Sequence, residues 1–293
     1  MSEYNDGLQA AGARLLRRRV LPGTPDGNTP LWPPAQFGLD AVPLYAQAGA
    51  DLQREVLDRC AQGLLRESWL IERGGMEFCA RMVLASEDAP QRALYSLIGA
   101  DEAAHYAWLQ PWLPQLPASD PFNDFLDHCV RTAAPQPLAY LLQVVLEGFG
   151  VVHYAGLAAA CCDTVLAATL RRMAEDEALH HAAGLAVFDC RRLSKADNNF
   201  LFDASYTFLQ MMRSGPQRVV AALDVALGGV ESGALTNLFD TLETQRPSAD
   251  KLARLRRLMS QPGMENLVEA LAQRQAFVPA TPQEAAQIYR SLR

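Results

Sequence analysis

The chain has 293 residues, of which 49% are hydrophobic and 20% are charged, proportions that are ordinary for a soluble globular protein with a full core. Its net charge of -7 argues against a nucleic-acid partner, which would require a basic face. We find no secretory signal or Cys-x-x-Cys spacing, and the best candidate membrane span, residues 148–162, is too short and too rich in Gly and Ala. We therefore expect a cytoplasmic protein with reduced thiols and with no nucleic-acid or membrane partner.

The N-terminal residues 1–50 are rich in proline and glycine, with six prolines and three glycines between residues 20 and 43. We expect this stretch to be an extended arm that lies over the fold rather than an element of the core. From residue 51 onward, helical sequence and helix caps predict four long helices, with a short helix between the second and the third. The predicted helices cover residues 51–85, 89–110, 122–132, 137–160 and 164–194, with Asp88 and Asp163 as N-caps.

The connections between the four long helices are short, long and short, the pattern of two antiparallel hairpins joined by one crossover, as in ferritin-like folds. We therefore predict an all-α fold, a ferritin-like four-helix bundle with extra C-terminal helices. The predicted domains are an N-terminal arm (1–50), a dimetal bundle (51–194) and a helical extension packed on the bundle (195–293). The extension is predicted to contain helices near 197–213, 216–228, 231–245, 249–260 and 264–274.

Two copies of one metal-ligand pattern lie 75 positions apart in the predicted bundle, DEAAH at 101–105 and DEALH at 176–180. Each copy follows a lone glutamate thirty positions upstream of its own glutamate. A Glu and a His three positions apart share one face of a helix, and two hairpins that each donate Glu plus Glu-x-x-His can hold a dimetal centre. The predicted metal ligands are Glu72, Glu102, His105, Glu147, Glu177 and His180. The other three histidines have no counterpart in the repeat and are interpreted as structural or surface residues.

The surroundings of the two lone glutamates distinguish them from the other acids nearby. Glu72 shares its helix stripe with apolar residues, whereas Glu77 has an arginine four positions away on either side, which is typical of a solvated face. Glu67 breaks the 75-residue register and is kept only as a fallback ligand. Glu147 is the single acid of a long apolar stretch, where a buried carboxylate needs a cation or a metal. The alternative for Glu147 is a protonated core residue bonded to the backbone.

Residues next to the predicted ligands have candidate supporting roles. Asp101 and Asp176 precede the motif glutamates and are predicted to accept the ring N–H of a metal-bound histidine; the alternative is that they are surface acids. Gly75 and Gly150 lie three residues after the lone glutamates, where they either leave room for dioxygen or substrate or permit close helix packing. The predicted pocket residues are Gly75, Met76, Ile98, Gly150, Val151 and Met173.

With these motifs, residues 51–194 resemble the ferritin-like non-haem diiron carboxylate superfamily. The doubled Asp-Glu-x-x-His is most similar to that of the bacterial multicomponent monooxygenases and the ribonucleotide reductase small subunit. The resemblance implies two iron ions, with manganese or a mixed Mn/Fe pair as alternatives. It assigns Glu72, Glu102 and His105 to one ion and Glu147, Glu177 and His180 to the other, with Glu102 and Glu177 as bridges.

Two departures from these relatives narrow the expected activity. The position of the reductase subunit's radical tyrosine, four residues after the first metal histidine, is Leu109 here, which disfavours a tyrosyl-radical role. The similar hydroxylases have a threonine four residues after the glutamate of the third long helix, where this chain has Val151. That difference argues against their proton relay.

We expect an O2-dependent diiron oxygenase or oxidase that hydroxylates, N-oxygenates, desaturates or cleaves a small organic substrate. The alternatives are a ferritin-like iron-handling protein with ferroxidase or storage activity, and a helical interaction protein that has lost its metal. Because the sequence has no flavin or iron-sulfur motif, electrons should come from an external donor such as a ferredoxin or a reductase, or from the substrate. The last hundred residues fit either a lid or a dimer surface, so a homodimer remains open.

Overall fold

The computed structural model describes residues 29–113, 120–231 and 233–292, and within these ranges the protein is all-helical, without a β-strand. A 3-10 turn at Pro34–Phe37, another at Leu39–Ala41 and one helical turn at Pro43–Ala46 precede the long helices. The first five helices agree with the predicted ones except at a few ends. They are α1 (Ala50–Ala85), α2 (Ala89–Leu109), α3 (Pro121–Thr132), α4 (Pro135–Ala160) and α5 (Thr164–Val187).

Both predicted N-caps are confirmed. The Asp88 carboxylate accepts the backbone N–H of Gln91 at 2.8 Å, and Asp163 accepts two backbone N–H groups at the start of α5, which satisfies donors that have no partner inside the helix. The predicted end of α5 near residue 194 is wrong, because the helix ends at Val187. The backbone of Phe188 is extended, and Asp189 then caps a short 3-10 turn by accepting the N–H of Arg191.

In the described residues after α5, six further helices follow: α6 (Lys195–Arg213), α7 (Gln217–Ala226), α8 (Leu235–Thr241), α9 (Gln245–Met259), α10 (Glu265–Gln273) and α11 (Pro282–Leu292). The last of these was not predicted, although its sequence carries a start signal. Thr281 donates its backbone N–H to Glu284 Oε2 at 2.7 Å, and Glu284 donates its backbone N–H to Thr281 Oγ1 at 3.2 Å. This reciprocal capping box, with proline at the first helical position, could have located the helix.

The described part of the N-terminal stretch differs from the expected arm outside the core. Trp32 is 1% exposed and donates its indole N–H to the carbonyl of Leu157 in α4 at 2.9 Å. Leu39 and Tyr45 are also buried in the same hydrophobic cluster. The prolines and glycines correctly predicted turns in this stretch. The large apolar side chains between them, however, anchor residues 29–49 in the core. The part of the predicted arm before residue 29 lies outside the described residues.

Two hydrophobic clusters lie at opposite ends of the four helices α1, α2, α4 and α5. The first contains the N-terminal half of α1, the C-terminal ends of α2 and α4 and the start of α5, together with α7, α8 and α11. The second contains the other halves of α1, α2 and α4, together with α3, α6, α9 and α10. Each cluster contains the N-terminal half of one helix of a pair and the C-terminal half of the other, so α1 and α2 form an antiparallel hairpin, and so do α4 and α5. All six predicted ligands lie between the two clusters. Both clusters combine residues from before and after position 194, and the predicted domain boundary there stays a prediction.

Helix α4 has one feature that the sequence analysis did not anticipate and one that corrects it, because the stretch judged too short to span a membrane, residues 148–162, lies almost entirely in a longer helix. Its residues Ala139–Glu147 are π-helical, a rare conformation that is frequently found at functional sites. The helix is also 26 residues long, with a mean hydropathy of 1.4 in its most apolar window, which is enough to cross a membrane by length and composition. Half of that window is buried inside the molecule, and a core helix of a soluble protein passes the same test.

Candidate metal centre

The six predicted ligands converge from four helices into one buried cluster, between the two hydrophobic clusters. Glu72 lies on α1, Glu147 on α4, and the two motif pairs lie on α2 and α5. Two groups of potential ligand atoms, each with all its members within 4.8 Å of one another, share Glu102. One group is Glu72, Glu102 and His105, and the other is Glu102, Glu147, Glu177 and His180.

The first histidine faces both a lone glutamate and the opposite motif. His105 is fully buried, and its Nδ1 lies 3.0 Å from Glu72 Oε2 and 3.6 Å from Glu177 Oε1. Its ring therefore directs Nδ1 into the cluster and Nε2 away from it. Burial alone would lower the pKa of His105, but its contacts with Asp176 and Glu72 outweigh burial and raise the pKa to about 10.

The ring of the second histidine, His180, has the same orientation, and more of the polar atoms around it lack hydrogen bonds. His180 Nδ1 lies 3.1 Å from Glu102 Oε1, 3.4 Å from Glu177 Oε2 and 3.9 Å from Glu147 Oε2. None of the atoms His180 Nδ1, Glu102 Oε1 and Glu177 Oε2 has a hydrogen-bond partner among the described residues, although all three are buried. Buried polar atoms are nearly always satisfied, so this set of facing, unsatisfied donor atoms fits a bound cation.

The two aspartates of the motifs lie behind the histidines, and each serves the other copy of the motif. Asp176 Oδ2 lies 3.3 Å from His105 Nε2 and also accepts a hydrogen bond from Arg172 at 3.1 Å. Asp101 Oδ2 lies 3.6 Å from His180 Nε2, longer than a direct hydrogen bond. Each aspartate can fix the ring of the histidine that it approaches so that Nδ1 faces a metal. The spacing of the motifs did not predict that each aspartate would approach the histidine of the other motif.

The electrostatics of the cluster favour occupation by cations. Burial, followed by the nearby Glu147 carboxylate, raises the pKa of Glu102 to about 8. The same two causes raise the pKa of Glu177 well above its ordinary value. Burial lowers the pKa of His180, but the neighbouring carboxylates outweigh it and raise the pKa overall. The raised pKa values of Glu102 and Glu177 favour their protonated forms at neutral pH unless a cation takes the place of the proton.

The two glycines of the repeat differ in the space around them. A Cβ atom on Gly75 would lie 2.7 Å from Glu102 Cδ, far inside contact distance, whereas a Cβ on Gly150 would lie 3.6 Å from Glu177 Cγ, which is an ordinary contact. Gly75 therefore leaves the space beside the backbone of α1 that the Glu102 carboxylate occupies. Gly150 has no such requirement.

Two residues of the cluster's surroundings were missed in the sequence analysis. Tyr154 in α4 is buried and donates its hydroxyl hydrogen to Glu72 Oε1; burial, followed by the Glu72 charge, raises the Tyr154 pKa far above its ordinary value. Cys79 in α1 is also buried, and burial together with the Glu102 charge raises its pKa. The signal was present in the sequence, because the 75-residue offset that relates the ligands also relates Cys79 to Tyr154.

The other predicted pocket residues and the fallback ligand lie in different surroundings. Ile98 and Met173 are buried in different hydrophobic clusters, one at each side of the ligands, while Met76 and Val151 are partly exposed. The fallback ligand Glu67 is not part of the cluster, because it pairs with Arg218 at 3.0 Å. A surface cleft at the α1–α2 turn contains none of the six predicted pocket residues; it is lined by residues such as Met82, Ser86, Gln91, Gln136 and Arg192.

Comparison of the chain with protein-family models, with curated proteins and with solved structures found no match in any of the three. Across its described residues the protein is all-helical, with a buried Glu/His cluster that could hold metal ions.

Proposed function

We propose that the protein is a non-haem diiron oxidoreductase with a ferritin-like four-helix bundle, which activates O2 to oxidise a small organic substrate. The observation that carries the proposal is the pair of buried ligand groups that share Glu102. A shared carboxylate is what two neighbouring metal ions require. The two histidines each direct Nδ1 towards these groups, so the donor set would be four carboxylates and two imidazoles.

The chemistry of these donors favours iron or manganese. Carboxylate oxygen and imidazole nitrogen suit these ions, whereas structural zinc sites are rich in thiolate. Within the described residues no cysteine belongs to either ligand group, although Cys79 is buried near them. Iron bound in such a centre supplies the electrons that reduce dioxygen, with later electrons coming from an external donor such as a ferredoxin or reductase.

The residues of this chain would divide the work between binding, orientation and exclusion of water. Glu72 and Glu147 would each complete the ligand set of one ion, and Glu102 and Glu177 lie between the two histidines, where bridges are expected. Tyr154 holds one oxygen of Glu72 by its hydrogen bond, which leaves the other oxygen directed at the His105 side. The hydrophobic clusters above and below the site keep bulk water away from it.

A metal-loading experiment tests this proposal. The metal-free chain is loaded anaerobically with ferrous iron, the iron per chain is counted, and oxygen uptake is followed together with the optical spectrum. We expect two irons per chain and rapid oxygen consumption. Glu72→Gln should lose iron, whereas Glu77→Gln on the exposed face of the same helix should bind as the unaltered chain does.

The same preparation separates the proposal from iron storage. Uptake of many irons per chain into a large hollow assembly, seen by light scattering, would contradict the oxidase proposal and favour ferroxidase or storage activity. Binding of two irons without any reaction with oxygen would also contradict it. If neither Glu72→Gln nor Glu147→Gln changes iron binding, the buried cluster is structural.

A further inference from the structure

Helix α9 carries a concentrated positive charge in an otherwise acidic protein. Its 15 residues include five basic side chains and one acid, a net charge of +4, whereas the whole chain carries -7. The helix is held in the second hydrophobic cluster by a stripe of buried residues at helical spacing, Ser248, Leu252, Leu255 and Met259. Its apolar side is therefore already used by the core, and its charged side faces outward.

Three arginines lie on the side of α9 opposite the buried stripe, as 3.6 residues per turn requires. We call Arg246, Arg254 and Arg257 the basic face. Arg246 and Arg257 are exposed and Arg254 is partly exposed. Among the described residues no carboxylate lies within 4.0 Å of these three guanidinium groups, although Asp250 lies on the same side of the helix. The basic face therefore has its charge available to an external partner.

Helix α9 also lies directly against the part of α4 that carries a candidate metal ligand. The Met259 carbonyl accepts the hydroxyl hydrogen of Tyr140 at 2.7 Å. A Cβ atom on Gly148 would lie 2.6 Å from Leu258 Cδ2, and Gly148 directly follows the ligand Glu147. Because an α-helix with its side chains is about 10–12 Å across, a molecule bound to the basic face lies about one helix diameter from α4 beside Glu147.

The charge and the packing of α9 select among the possible anionic partners. A membrane-binding amphipathic helix inserts its apolar side into the lipid, but Leu252, Leu255 and Met259 are each 0% exposed. A nucleic acid extends well beyond one helix and would meet the net negative charge of the rest of the protein. A small acidic protein can contact the basic face alone, and α9 is about 22 Å long, which suits the limited interface of a transient electron-transfer complex.

We propose that the basic face docks an acidic electron-transfer protein of the ferredoxin class, which reduces the metal centre. This inference rests on the diiron function proposed above, because the sequence has no flavin or iron-sulfur motif of its own. In each encounter one electron passes from the reduced iron-sulfur cluster of the donor to a ferric ion, so the cluster is oxidised and the ion becomes ferrous. Two encounters reduce a diferric pair. Complementary charge steers such encounters and orients the donor.

Two triple variants with the same change of charge test the docking surface. One replaces Arg246, Arg254 and Arg257 by glutamate. The control replaces three exposed arginines of α1, α3 and α5 by glutamate, Arg66, Arg131 and Arg171; α9 packs instead on α4 and α6. The probe is an oxidised acidic two-iron ferredoxin, and its binding to the metal-free full chain is measured by calorimetry.

At 0.1 M salt the Debye length is about 10 Å, so charges on distant helices contribute little to this binding. We expect the basic-face variant to bind the ferredoxin on the order of 10- to 100-fold more weakly than the unaltered chain, because charge steering is lost. The control variant should bind as the unaltered chain does. Urea unfolding of both variants checks that they are folded, and Arg256 is left unchanged because it stacks over Phe277 at 5.6 Å.

Reduction of the iron-loaded protein gives the second readout. The basic-face variant should be reduced more slowly by the ferredoxin but at the normal rate by dithionite, which needs no docking surface. Equal ferredoxin binding by the two triple variants, no binding by the unaltered chain, or tighter binding of phosphatidylserine vesicles or duplex DNA than of ferredoxin would overturn the inference. Because calorimetry uses metal-free protein, loss of docking leaves iron loading intact, and failure of iron loading with retained docking contradicts the diiron proposal alone.

Discussion

Replacement of Gly75 by alanine should disrupt metal binding through a single added methyl group. The new Cβ would lie 2.7 Å from Glu102 Cδ, and real Cβ atoms essentially never lie closer than 3.0 Å to such an atom, so the carboxylate must move away by at least the difference of 0.3 Å. Metal–ligand distances tolerate deviations of only about 0.2 Å. Because Glu102 belongs to both ligand groups, the displacement affects both ions.

We expect Gly75→Ala to lower the affinity for ferrous iron on the order of 10- to 100-fold, the range found when the support of a ligand is lost. Gly150→Ala is the matched control from the other copy of the repeat. Its Cβ would make an ordinary contact at 3.6 Å, and alanine favours a helix over glycine by about 1 kcal/mol, so this variant should bind iron normally and unfold at slightly higher denaturant concentration.

The assay is an anaerobic titration of ferrous iron against a chromophoric chelator, with urea unfolding of the metal-free variants as a check on folding. Unchanged affinity in Gly75→Ala would refute the steric reasoning. Equal losses in Gly75→Ala and Gly150→Ala would show that the two sites respond to glycine replacement in general rather than to the clash with Glu102.

Three further predictions concern protons, an aspartate and the N-terminal stretch. The Glu102 pKa of about 8 leaves this group mostly protonated at pH 7, so metal binding should release protons. The Mn2+ affinity should therefore rise from pH 6 to pH 8, and an affinity that does not change with pH would contradict the assignment of Glu102 as a metal ligand. Asp176→Asn should lower metal affinity by about 10- to 100-fold in the same titration, more than Asp101→Asn, because Asp176 contacts its histidine more closely. Trp32→Ala should lower the free energy of unfolding by about 3–5 kcal/mol, because the indole is buried and hydrogen-bonded to the Leu157 carbonyl. Urea denaturation measures this change, and a change near zero would show that residues 29–49 do not unfold cooperatively with the rest of the protein.

The helices that hold the cluster could be predicted from the sequence because their signals are local. Apolar periodicity, a proline or an aspartate at each start and the breaks between helices identified α1 to α4 within a few residues. The end of α5 was placed too late, because residues 188–194 contain no glycine or proline and their departure from the helix depends on the Asp189 cap. The π-helical part of α4 has no comparable local signal in the sequence.

The positions of the Glu and His residues that converge in the buried cluster could be predicted, because a repeat with a fixed offset is independent of tertiary structure. The pairing between the copies could not be predicted, because it depends on how the hairpins face each other. Asp176 approaching His105, and Tyr154 bonding to Glu72, are contacts between helices far apart in sequence. Spacing alone allowed each aspartate to serve its own histidine equally well.

The two copies of the motif are equivalent in sequence but have unequal surroundings. On one side Glu72 is 1% exposed and is held by both Tyr154 and His105. On the other side the Glu147 side chain is 14% exposed, and His180 has no hydrogen-bond partner on either ring nitrogen among the described residues. Since fixed ligands resist displacement and loosely held ones permit it, we expect external molecules to enter on the Glu147 side.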